Sequence, residues 1–283
     1  MSARLTVPKT YKLAIGGTFP RSESGRTYEV RSAKGDFLAN AALASRKDAR
    51  DAVRAGRSAV AGWAGATAYN RGQVLYRVAE LLEGRRAQFV DEIVAQEGVS
   101  AAVAGAQVDA ATDLWVWYAG WCDKYAQVAG GLNPVAGAYF NISAPEPTGV
   151  VAIIAPQDSA LLGLTATVAP ALVAGNSVVV VASERYPLSA ISLAEVLATS
   201  DVPGGVVNVL TGSPAEIAPH LADHADVNAL DLAGAGDLDW VDLQMRAAET
   251  LKRVLVPGEP VASPERIAAF TEVKTVWHPK SML

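Results

Sequence analysis

Val150-Val151-Ala152-Ile153-Ile154, then Leu161 to Val173, then Val178-Val179-Val180-Val181 decide the fold of this chain. Two β-branched apolar runs flank a helical one. Neither run alternates apolar with polar residues, so both faces of each strand are buried, as in a parallel sheet covered by helices on both sides. Ser159 to Ser183 carries no charge and is long enough to span a bilayer, but Pro170, Gly175 and Asn176 interrupt it. A helix, a tight turn at Ala174-Gly175-Asn176 and a buried strand account for the stretch, and no membrane span is expected. Downstream the alternation continues. Ser189–Thr199 reads as helix, Val206–Leu210 as strand, Pro214–Ala222 as helix and Val227–Leu232 as strand. Leu238–Leu251 then reads as helix and Arg253–Val256 as strand. Strict βαβ order predicts an α/β fold with a doubly wound, Rossmann-like parallel sheet.

Upstream the pattern differs. Lys12–Gly17 and Thr27–Val30 read as short strands. Ser45, with Asp48 three residues on, is an N-cap for a helix whose stripe is Ala49, Ala52, Val53, Val60 and Trp63. A second helix is expected to carry Leu75, Val78, Ala79, Leu82, Phe89 and Ile93, and a third to run from Ser100 to Gln127. Trp115, Trp117, Tyr118 and Trp121 on the third read as core or subunit contact rather than a ligand cage. Gly130–Pro147 is compatible with a hairpin arm.

The 283 residues carry a formal net charge of −5, are 51% hydrophobic and hold one cysteine. They give no basic footprint for nucleic acid and no disulfide framework. Met1-Ser2-Ala3-Arg4-Leu5 has no apolar leader region, which points to the cytoplasm. His220 and His224 sit four apart, but no third ligand is evident, so no metal is expected.

Several ordered motifs resemble the aldehyde dehydrogenase superfamily. They are Glu146-Pro147-Thr148-Gly149-Val150-Val151, Ala169 to Asn176, Pro203 to Gly212, the portions Tyr11–Val30 and Trp63–Gly98, and the terminal Phe270 to Val276. The resemblance implies aldehyde oxidation with NAD(P): a cysteine thiolate attacks the carbonyl, hydride passes to the cofactor, and a glutamate-activated water releases the acid. An asparagine side chain and a backbone N–H hold the oxyanion.

Position by position, this chain departs from that pattern. The family's Pro-Trp-Asn oxyanion motif falls on Pro156-Gln157-Asp158, which puts a carboxylate where negative charge develops. The lysine that bonds a ribose hydroxyl falls on Val181, although Glu184 remains beside it. The Gly-Ser-Thr-x-x-Gly turn falls on Gly234 to Asp239, with Asp239 at its last glycine and Asp237 nearby. Acids at a helix N-terminus cap it well and repel a pyrophosphate. The general-base glutamate falls on Pro257. From Gly258-Glu259-Pro260 the chain passes almost at once to the terminal strand, so the segment with the nucleophilic cysteine is missing. Cys122 reads as a small buried hydrophobe.

Val181 to Leu188 and Lys274 to Trp277 bring the chain closest to the second, truncated unit of the family-16 aldehyde dehydrogenases. This implies a catalytically degenerate family member whose catalytic domain is missing. Its parts are residues 1–129 (N-terminal strands and helices), 130–147 (oligomerisation hairpin), 148–260 (Rossmann-like part) and 261–283 (oligomerisation strand). The expected function is non-catalytic, in assembly or regulation, with a full-length aldehyde dehydrogenase or a second copy as partner. No cofactor is expected beyond weak NAD(P) binding at the vestigial positions Val181, Glu184, Gly234 and Asp239. The alternatives are a working NAD(P)-dependent dehydrogenase and a nucleotide sensor. Thr271, Val273, Thr275 and Trp277 are expected to pair with a partner's sheet edge, because a lone strand leaves its backbone unsatisfied. Removing Phe270 to Leu283 is expected to leave the α/β domain folded.

Overall fold

The computed structural model describes residues 7–280. Met1 to Leu5 lies outside the described residues. β1 (Thr10–Tyr11), β2 (Thr27–Arg31) and β3 (Phe37–Ala42) form a small sheet in the order β1-β3-β2. β3 has no strand signature of its own, since its alanines are held by burial and not by propensity. The strand expected over Lys12–Gly17 is instead an irregular segment. Ala14 exchanges backbone hydrogen bonds with Val209 at 2.9 and 2.7 Å, and Gly16 and Gly17, at φ +62° and +79°, turn the chain away.

Ser45 caps α1 (Arg46–Gly65) through a capping box, and the Asp48 carboxylate also accepts the Ser22 hydroxyl at 2.7 Å. The predicted second helix is two, α2 (Ala68–Gly84) and α3 (Arg86–Glu97). Gly84, a poor helix former, ends the first, and Arg85 turns out to pair with Glu195 at 2.8 Å. α4 (Ala101–Trp121) stops short of Gln127, and α5 (Tyr125–Ala129) follows as a separate turn. Trp115 and Tyr118 are fully buried, so the aromatic cluster is mainly core.

The hairpin β4 (Gly131–Asn133) and β5 (Tyr139–Pro147) leads into the main sheet. Its elements are β6 (Val150–Ile154), α6 (Leu162–Val173), β7 (Ser177–Val181), α7 (Leu188–Thr199), β8 (Val207–Leu210), α8 (Pro214–Asp223), β9 (Ala229–Asp231), α9 (Trp240–Ala248) and β10 (Arg253–Leu255). All five strands are parallel, in the order β10-β9-β6-β7-β8. The winding direction reverses at β6, so the crevice between the carboxyl ends of β6 and β9 is the place where such folds bind ligands. The uncharged stretch resolves as α6, a turn and β7, and among the described residues no helix is long and apolar enough to cross a membrane.

The turn at Gly175-Asn176 is fixed by close packing and a buried amide. Gly175 sits at φ +104°, and a Cβ there would lie 2.8 Å from the Ala64 Cα. Asn176, fully buried, accepts from the Gly149 N–H at 2.8 Å and donates to the carbonyls of Ala171 and Phe270 at 2.9 Å each.

After β10, residues 256–270, with α10 (Pro264–Ala268), lead directly to β11 (Thr271–Pro279). Here the structure corrects two expectations. β11 is not unpaired: it runs antiparallel to β5 from Thr271 opposite Pro147 to Pro279 opposite Tyr139, because the arm of the same chain offers a strand of matching length. Phe270 is not a removable tail residue. It is fully buried, and its carbonyl accepts from Thr148 N at 3.1 Å as well as from Asn176. Thr271 is buried too, with its hydroxyl 3.0 Å from the Tyr125 hydroxyl. It roots the strand inside the chain, whereas Val273, Thr275 and Trp277 are exposed. Beyond Thr271 both faces of this strand meet solvent.

Candidate functional site

Three loops and one connecting segment meet at the carboxyl edge of the sheet. Gln157, after β6, ties the first loop to the second. Its amide donates to the Ala155 carbonyl at 2.7 Å and accepts from the Glu184 N–H at 2.9 Å, and its carbonyl accepts the Ser183 hydroxyl at 2.8 Å. Gly234, after β9, donates to the Ile154 carbonyl at 2.8 Å. A Cβ on Gly234 would stand 1.8 Å from the Ala155 oxygen, so the fold's own backbone requires this glycine, with no ligand needed to explain it.

Between these loops, α4 and α6 lies a cleft of about 840 Å³, lined among others by Leu114, Pro156, Asp158, Leu162, Pro257 and Glu259. The structure thus brings Asp158 and Pro257, a hundred residues apart in sequence, onto one cavity. The other marked residues do not join them. Val181 is fully buried, with its side chain in the core shared by α1 and α8. Glu184 is exposed on the β7–α7 loop, where partial burial and the negative charge of Glu216 push its carboxyl upward. Asp239 caps α9, accepting from the Asp242 N–H at 3.0 Å.

The dinucleotide of this fold type does not fit these residues. The helix terminus that should meet a pyrophosphate is already capped by a carboxylate, and Val181 presents no donor to a ribose. NAD is therefore expected to bind with a dissociation constant no better than about 1 mM. Calorimetry checks this. The reversal Asp239→Gly should tighten binding, and micromolar affinity of the wild-type chain would contradict the reading.

No cysteine lines the cleft. Cys122 is buried at the end of α4, its Sγ 3.6 Å from the Tyr118 carbonyl, and burial pushes the thiol up to about 12. A thiol held so far above neutral pH has almost no thiolate. Among the described residues no group of three metal-ligating side chains is present, and the His224 Nδ1 accepts from the Asp226 N–H at 3.1 Å.

Beside the cleft lies a feature absent from the sequence reading. Asp231, at the end of β9, is fully buried and ion-paired with Arg266 of α10, whose side chain is 14% exposed. Its Oδ1 also accepts the Ala233 N–H at 3.0 Å. An acid inside Ala229-Leu230-Asp231-Leu232 was the available signal, because a charge in an apolar central strand demands a partner. Nothing in the sequence identified that partner as Arg266.

The sheet order and crevice define a Rossmann-like cofactor fold carrying an added three-stranded arm. The chain belongs to the aldehyde dehydrogenase family, whose model matches residues 19–257. It is 31% identical over 263 residues to the cytosolic 10-formyltetrahydrofolate dehydrogenase of Mus musculus, a match covering 89% of this chain and 28% of that protein. It is also 31% identical over 250 residues to the putative aldehyde dehydrogenase DhaS of Bacillus subtilis, covering 87% and 50%. The NAD+ complex of an aldehyde dehydrogenase from Bacillus cereus superposes with a TM-score of 0.81 at 28% identity, over 88% of this chain and 50% of that one. The chain thus spans between about a quarter and half the length of these relatives.

Proposed function

We propose that this chain is a non-catalytic member of the aldehyde dehydrogenase family that acts in assembly or regulation of a full-length NAD(P)-dependent aldehyde dehydrogenase. The observation that carries this is the shared cleft of Asp158 and Pro257. At the position matching the oxyanion donor stands an acceptor, and at the position matching the general base stands a side chain that takes no proton. Loss of a single oxyanion donor alone costs about 10²–10³ in rate, and a carboxylate there adds repulsion. The arm supports the assembly role. Val273 and Trp277 are 63% and 58% exposed on β11, and the edge of β11 away from β5 pairs with no strand among the described residues. Unpaired edges of this kind accept a strand from another chain.

The purified chain is expected to form no NADH or NADPH from short-chain or aromatic aldehydes. Turnover that survives Cys122→Ala would overturn the proposal. Turnover abolished by that substitution would overturn it too, by making Cys122 the nucleophile.

A further inference from the structure

We infer that one face of the arm stacks on the same face of a second copy of this chain, about a two-fold axis. The claim stands apart from the partnership with a full-length enzyme, which uses the edge of β11. Side chains alternate between the faces of a strand, so the register of β5 against β4 and β11 sorts the arm into two faces. Burial along β5 alternates in step. Asn141 is buried and Ser143, Pro145 and Pro147 are half-buried, whereas Phe140, Ile142, Ala144 and Glu146 are exposed.

The two faces are the reverse of what water favours. The covered face carries a polar ladder, in which the Asn133 amide donates to Asn141 at 2.6 Å and to Ser143 at 2.7 Å, and Ser143 meets Thr275 at 2.9 Å. The open face carries Leu132, Phe140, Ile142 and Val276, exposed by 66, 45, 48 and 47%. A sheet with one solvated face turns its polar side outward, and a contiguous apolar face on the outside marks a contact surface.

The order of groups along the open face identifies what covers it. At the tip, Lys280 holds its ammonium over the Phe140 ring, 5.3 Å from the centroid, and not against a carboxylate. The middle is apolar, with Ile142 between Val276 and Leu132. At the root Glu146 and Glu272 lie side by side. Arg253 meets Glu272 at 2.6 Å and leaves its side chain 54% exposed. A two-fold axis across the strands at the Ile142–Val276 pair lays each strand over its own copy and reverses this order. Lys280 and Glu272 lie equally far from Val276, and Phe140 and Ala144 equally far from Ile142. The basic tip of one copy thus comes over the acidic root of the other, and the Phe140 ring over the small Ala144. His278 falls over Lys274, which Glu146 already neutralises at 3.0 Å. A two-fold along the strands would instead set the two basic tips together. Such an arrangement is self-complementary, as a two-fold contact requires.

Sedimentation velocity up to about 0.1 mM protein tests the association. A reversible monomer–dimer equilibrium is expected, because an open face of about 30 Å by 14 Å is small for a stable interface. Ile142→Glu sets like charges against each other on the axis and should weaken the dimer about tenfold or more. Val273→Glu adds the same charge to the opposite face and should leave the dimer intact. Cross-linking tests the register independently, with Cys122 buried and out of reach. Under mild oxidation Ile142→Cys should link to itself, whereas Phe140→Cys should link to Ala144→Cys in a mixture and poorly to itself. A chain that stays monomeric over the whole range, a dimer that tolerates Ile142→Glu, or Phe140→Cys linking to itself in preference to Ala144→Cys would overturn the inference. The full-length partnership is judged by mixing the two proteins, so the two readings can fail separately.

Discussion

Arg266→Ala is expected to destabilise the protein by about 3–5 kcal/mol, because it leaves the fully buried Asp231 carboxylate without its counter-charge. The pair also ties the segment between β10 and β11 to the main sheet. Asp231 belongs to the sheet, Arg266 to the short helix of the connecting segment. The effect should depend on pH with a definite sign. Burial holds Asp231 above the usual carboxylate range, and Arg266 pulls it back only in part. The native chain therefore keeps this proton to higher pH than the unfolded chain does. The contribution favours folding below the ordinary carboxylate range and is lost as pH rises through the raised native value. Arg266→Ala should raise that value further and steepen the loss, whereas Asp231→Asn should flatten it. The double replacement Asp231→Leu with Arg266→Met should recover most of the stability, since a well-packed apolar pair often matches a buried ion pair. Urea unfolding of the four proteins across pH 4–8 checks both the size and the sign.

Phe270→Ala should cost about 3–5 kcal/mol, the usual range for emptying a fully buried phenylalanine site. The loss here is of packing alone, because the backbone bonds from Thr148 and Asn176 to the residue 270 carbonyl do not need the ring. Two truncations separate the root of β11 from its free length. Ending the chain after Ala269 should prevent stable folding, because it removes both the ring and the acceptor that Asn176 needs. Ending it after Glu272 keeps Phe270, Thr271 and the Arg253–Glu272 ion pair at 2.6 Å, and should leave the main sheet folded with nearly unchanged stability. Thermal melts followed by near-ultraviolet circular dichroism distinguish the two.

The strands of the main sheet were legible because continuous β-branched runs between helical stretches have few other readings. Val150–Ile154 and Val178–Val181 fall inside their strands without adjustment. The irregular and locally weak parts were not legible. β3 is a strand by burial and pairing, not by propensity, and the break at Arg85 lies inside an otherwise continuous helical pattern. At the site, motif position alone marked Asp158 and Pro257, and the fold placed both on one cavity. It gave different work to the remaining marked residues: Val181 to the core, Gly234 to backbone packing, and Asp239 to a helix cap. The residues that complete the cavity, Gln107 and Glu259, and the Asp231–Arg266 pair depend on contacts between distant segments, which periodicity and spacing do not encode. β11 shows the same limit in reverse. The sequence suggested a strand in search of a partner, and its partner is β5 of its own chain, with its other edge unpaired among the described residues.

Light scattering coupled to size exclusion tests the central claim most directly, on the chain alone and mixed with a full-length aldehyde dehydrogenase from the same source. The account predicts a stable complex with the full-length enzyme, lost when the chain ends after Glu272 although the truncated protein remains folded. A folded, intact chain that stays monomeric alone and in every such mixture would contradict it.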